Sequence, residues 1–147
     1  MEEIEKILTE AAVSDAVTEK PIKMICAGKE FLIHPPTLGK MQILSKLYLE
    51  LDIDEKNLEE EPHLEAMRIC EANTDTVSKI MAVAVHNDKN DLLDDNKINE
   101  TAEFFKWNSN PADFGKAILS ILTQVNYVNF MNSIRLTKIL RQNAVKD

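Results

Sequence analysis

The sequence predicts a mainly α fold, a helical domain with one small N-terminal β-hairpin. Three observations carry that expectation. Only three glycines and five prolines occur in 147 residues, too few for a chain of many short strands and turns. Leucine-type residues recur at steps of three and four through long stretches, the spacing that puts them on one helix face. A single stretch, 21–34, alternates instead in steps of two about a glycine.

Each element has its own signal. Residues 1–19 place Ile4, Ile7, Leu8 and Ala11 at helical spacing, but "AAVSDAVTEK" loses the period. They are expected as a mobile N-terminal segment ahead of a single helical domain over 20–147. "PIKMICAGKEFLIHPP" then reads as a hairpin whose turn falls at Gly28, with Pro35, which has no amide hydrogen to donate, closing the second strand. Pro36 disfavours early helix, and the Thr37 hydroxyl has the chemistry of an N-cap. From there Leu38, Met41, Leu44, Leu47, Tyr48 and Leu51 form one apolar stripe. The corner Pro35, Pro36, Thr37, Leu38 and Gly39 therefore reads as a structural joint between hairpin and helix.

Pro62 sits at a favoured first-turn position and opens the next helix. Its stripe runs through Leu64, Met67, Cys70, Val77, Met81 and Ala84, while "EANTDT" (71–76) lowers helix propensity at its middle. A continuous helix and a broken one both fit. Residues 87–99 read as a polar connection, followed by a short helix carrying Phe104, Phe105 and Trp107. Asn110 as cap, Pro111 in the first turn and Asp113 three residues after the cap start the last helix. Phe114, Ile118, Ile121, Leu122, Val125 and Val128 face one way on it, and the pattern runs on to Leu140.

The charge excludes some partners. Seventeen basic residues against twenty-five acidic ones give −8, which repels phosphate backbones and anionic lipid, so neither nucleic acid nor membrane is expected as a partner. The imbalance is uneven. From Phe114 onward five basic residues face one acid, so this part carries +4 and the first 113 residues carry −12. An acidic start without an apolar core stretch is unlike a secretory signal. The two distant cysteines, Cys26 and Cys70, therefore fit reduced thiols in a cytoplasmic protein, with Cys70 expected as a small core side chain.

Catalytic, cofactor and metal sets are not expected. Counted from Asp88, the fifth, sixth and twelfth positions of a calcium loop would be Leu92, Leu93 and Asn99, where that loop needs an oxygen ligand, a glycine and a bidentate glutamate. His34, His63, His86 and the cysteines stand apart, without the short spacing of a zinc knuckle. Cys26 and His34 lie at opposite ends of the hairpin, about 13 Å apart by strand rise, too far for proton transfer. Phosphate-cradling glycine motifs are missing, and Glu59, Glu60 and Glu61 lie in a hydrophilic run with nothing to raise a carboxyl pKa. Two groups remain as candidate partner-binding residues. Phe104, Phe105 and Trp107 cannot all be buried by one helix face, because successive positions diverge by about 100°, so either two elements clamp them in the core or part of the group is exposed for a partner. Arg135, Lys138 and Arg141 gather basic charge on the last helix.

The hairpin and corner, "KPIKMICAGKEFLIHPPTLGKMQILSKLYLEL", resemble the opening of tail assembly chaperones of long-tailed bacteriophages and prophages. The likeness rests on Gly28, Lys29 and Phe31 in the hairpin and on Pro35, Pro36, Thr37, Leu38 and Gly39 at the corner, about a fifth of the chain. It implies a non-enzymatic protein of the bacterial host cytoplasm that binds the tape measure protein and assists assembly of tail-tube subunits around it, without a cofactor. Self-association is compatible with that role. The residues themselves leave a second reading open, a small adaptor or regulatory domain that binds an acidic partner through its basic C-terminal helix.

Overall fold

The computed structural model describes residues 2–6, 20–125 and 127–146. Residues 2–6 are helical; the rest of the expected N-terminal segment, 7–19, lies outside the described residues. The described chain is mainly helical with one two-stranded antiparallel sheet, as the sequence predicts. Strand β1 (Ile22–Cys26) pairs with β2 (Lys29–Ile33) in the register Ile22 to Ile33 and Cys26 to Lys29. The two loop residues, Ala27 and Gly28, both have positive φ, at 51° and 76°. This is the tight primed turn whose twist matches that of paired strands.

Helix α1 (Leu38–Leu49) begins at Thr37, whose hydroxyl accepts the Lys40 amide hydrogen at 3.2 Å, so the expected cap forms. Leu44 and Leu47 of its stripe are buried and Met41, Tyr48 and Leu51 half-buried. Leu38 is the exception at 80% exposed, because the first helical position points away from the body the stripe covers. A short α2 (Glu55–Glu60) capped by Asp54 follows.

Helix α3 (Pro62–Val85) starts at Pro62 and runs unbroken, which settles the two alternatives for residues 71–76. It is the central strut, packing against α1, α2, β2 and two later helices. The six consecutive residues Ile80–Val85 are all buried, an all-round apolar segment of the kind found only where neighbours surround a helix. Its first half behaves differently. Leu64, Met67 and Cys70 are exposed, and Glu65 and Asn73 are buried instead. The expected stripe holds only from Val77 onward, since the N-terminal turns face the polar loop before α2 rather than the core.

Residues 87–99 fold, where a polar connection was expected. Helix α4 (Lys89–Leu92) and helix α5 (Asp95–Asn108) are capped by Asp88 and Asp94, whose carboxylates accept from Asn90 and Lys97 amides. Aspartates that read as loop are N-caps, and Leu92 and Ile98 seat the two helices in the core. Helix α6 (Pro111–Gln124) opens with a full capping box between Asn110 and Asp113. The chain leaves the helix at Val125, in extended conformation, and resumes as α7 (Tyr127–Lys146). The single long helix expected there is two. At the break the Gln124 amide donates to the Ile33 carbonyl at 2.7 Å, tying the end of α6 to the end of β2. Among the described residues the apolar core draws on β1, β2, α1, α3, α4, α5 and α6 and takes no side chain from α7, which buries the polar Asn132 instead.

Candidate functional site

The corner is held from behind by two residues the sequence reading passed over. Lys40 lies one turn into α1 with only 2% of its surface exposed, and its ammonium donates to the Ala84 carbonyl at 2.7 Å and to Asn87 Oδ1 at 3.1 Å. Ala84 is in the last turn of α3, where carbonyls lack helical partners and a cation is favoured. Asn87 completes the joint by accepting from the His34 amide and donating to the Leu32 carbonyl, at 3.1 and 2.7 Å. It thus ties β2 to the end of α3. Burial away from water pulls the Lys40 ammonium down to about 8. The corner residues themselves are peripheral: Pro35, Thr37, Leu38 and Gly39 are exposed and Pro36 half-buried. Gly39 has open space where a Cβ would stand, so the joint does not require glycine there.

A second polar knot fixes the acidic loop between α1 and α2. Glu65 accepts from Arg68 at 2.6 and 2.7 Å and from the Asp54 amide at 2.9 Å. The Arg68 hydrogen bonds, aided by that amide and opposed by burial, hold the Glu65 carboxyl at about 2. Asn73 reads the same loop through both faces of its amide, accepting from Asp52 N and donating to Asp52 O.

The aromatic group divides. Phe105 is fully buried and Phe104 half-buried; Phe31 of β2 stacks on both, with ring centroids 5.0 and 6.0 Å away. Two elements clamp these rings, which places them in the core. Trp107 is 75% exposed, its indole donating to Glu103 at 3.1 Å. Cys26 and His34 are also apart: the Cys26 thiol is buried and directed at the Asn108 carbonyl, and burial followed by the Asp113 charge raises its pKa. Among the described residues, no three His, Cys, Asp or Glu side chains gather as a metal set, and no helix is long and apolar enough to cross a membrane.

The basic residues stand on an exposed apolar surface. Leu119 and Leu122 of α6, and Val128, Phe130, Met131, Ile134, Leu140 and Val145 of α7, all lie open to solvent. The whole stretch from Phe114 to Lys146 contains no acidic residue. Arg135 donates to Asn132 at 3.0 Å, and none of Arg135, Lys138 and Arg141 forms an ion pair among the described residues. The structure thus brings the three cations onto one helix together with apolar side chains, and leaves Phe104 and Phe105 elsewhere. The apolar part was hidden in the sequence, because these residues have the same spacing as core residues.

No family model matches this chain, no curated protein matches its sequence, and no solved structure matches its fold.

Proposed function

We propose that this chain is a non-enzymatic tail assembly chaperone of the long-tailed phage type, which holds an apolar segment of the tape measure protein in the host cytoplasm and assists tail-tube assembly. The observation that carries the reading is the exposed apolar surface of α6 and α7. Large apolar side chains left outside the core are what a surface for another chain requires. The resemblance of hairpin and corner adds the family. Holding works by burying apolar client surface against α7 while the acidic remainder keeps the complex in solution. It needs no catalytic group, metal or cofactor.

The test is co-expression of the full chain with an aggregation-prone tape measure fragment. Wild type is expected to keep the fragment soluble, also at high salt, because apolar burial is not screened as exposed charge pairs are. Met131→Ser with Ile134→Ser is expected to release it without changing the far-UV circular dichroism. Aggregation of the fragment with wild type at every salt concentration would overturn the reading. Holding abolished by salt alone would favour the adaptor.

A further inference from the structure

On the reading that α7 is the client surface, we infer that the segment it binds is an acidic amphipathic helix, antiparallel to α7, with its acidic residues in its N-terminal turns.

The spacing defines the seam. Met131, Ile134, Lys138, Arg141 and Val145 follow one another at steps of three, four, three and four, the repeat by which one helix meets another along its length. Met131, Ile134 and Val145 are exposed, as are Lys138 and Arg141. Ile134, Thr137, Lys138, Arg141, Gln142 and Val145 together line one open face of the helix. The body-facing side is different: Asn129, Asn132, Leu136 and Ile139 are the buried or half-buried residues of α7. The seam is thus free of the fold's own needs.

Two of its five positions are cations, and this selects the occupant. A parallel second copy of α7 would set Lys138 and Arg141 against like charges at positions where interhelical contacts are closest, a device that specifies partners by repulsion. An antiparallel copy centred on Lys138 would set that cation against itself and Arg141 against Ile134. A purely apolar helix would strip water from both without replacing it. A helix with Glu or Asp opposite Lys138 and Arg141, and apolar residues opposite Met131 and Ile134, satisfies every position. Orientation follows from the dipoles. Acidic residues are most stable in the first turns of their own helix, and the cations occupy the second half of α7. The partner's start therefore lies beside the end of α7, which makes the pair antiparallel. The long stems of Lys138 and Arg141 cover apolar surface while their heads reach the carboxylates.

The experiment uses the full chain and three labelled helical peptides, read by fluorescence anisotropy. One has apolar seam residues with Glu placed for antiparallel pairing, the second replaces each Glu by Lys, and the third keeps Glu but has Ser for the apolar residues. The acidic amphipathic peptide is expected to bind at least roughly tenfold more tightly than the Lys control, the size expected when two charge pairs are reversed, and more tightly than the Ser control, which lacks apolar surface to bury. Lys138→Glu with Arg141→Glu should invert the preference between the first two peptides. That inversion separates recognition from misfolding, because a misfolded chain gains no affinity for the Lys peptide. Equal binding of the Glu and Lys peptides, or a seam already covered by a second copy in sedimentation experiments, would overturn the inference. A chain that holds the tape measure fragment yet ignores the acidic peptide refutes only the inference. The opposite pair of results refutes only the chaperone reading.

Discussion

Single residues carry two of the fold's less comfortable features. Ala27 holds φ at 51° with a Cβ, a conformation that costs an L-residue about 1–2 kcal/mol. Asparagine tolerates it and gives the Asn-Gly pair that suits this turn, so Ala27→Asn should stabilise the chain by about 1 kcal/mol, seen as a higher urea midpoint at constant slope. An unchanged midpoint would mean the hairpin does not limit stability. Lys40 is the second case. Its ammonium is held at about 8 when folded, against 10.5 ordinarily, so between those pH values the unfolded chain binds more protons. Stability from this residue therefore rises with pH across that window, by on the order of 3 kcal/mol when complete. Lys40→Met should flatten the rise relative to wild type, measured by melting from pH 7.5 to 10.5; parallel profiles would show that the amine is not desolvated.

At the scale of elements, Asn73 shows why α3 does not break. It is a poorer helix former than alanine by several tenths of a kcal/mol, yet its amide makes two hydrogen bonds to Asp52 across the loop. Those bonds outweigh the propensity, so Asn73→Ala should destabilise by about 1–2 kcal/mol despite improving the helix locally. A stabilised variant would mean that the loop is not anchored. This also marks what the sequence could convey. Thr37 and Asn110 were legible as caps because capping is chemistry between residues three apart. Lys40, Glu65, Asn73 and Asn87 were not, because each is defined by a partner 11 to 55 residues away, and a charged residue within a helical pattern reads as its wet face. Asp88 and Asp94 were not legible for a related reason: a helix as short as α4 leaves no periodicity to offset its polar cap, and the first turn of α5 is itself polar. The basic half of the candidate surface was visible as composition. Its apolar half was not, since Met131 and Ile134 have core spacing, and only the packed fold shows that they stay outside.

For the molecule as a whole, charge and packing divide at nearly the same place. Among the described residues the apolar core takes no side chain from α7, whose buried residue is the polar Asn132, and the stretch from Phe114 to Lys146 has no acids. Stability and the proposed binding should therefore be separable. A chain ending at Asn126 keeps the hairpin, the Lys40 joint, the Glu65 knot and the Gln124 tie to Ile33, along with every buried apolar side chain of the core. It should unfold cooperatively, with a midpoint lowered by less than about 5 °C, the shift that roughly 1 kcal/mol produces in a domain of this size. It should also lose the ability to keep a tape measure fragment soluble. Thermal denaturation and the co-expression assay, run on the same preparation, check both halves. A shortened chain that melts without cooperativity would show that α7 completes the fold; one that still holds the fragment would move the client surface to the exposed side chains before it, with Trp107, Leu119 and Leu122 the next to change.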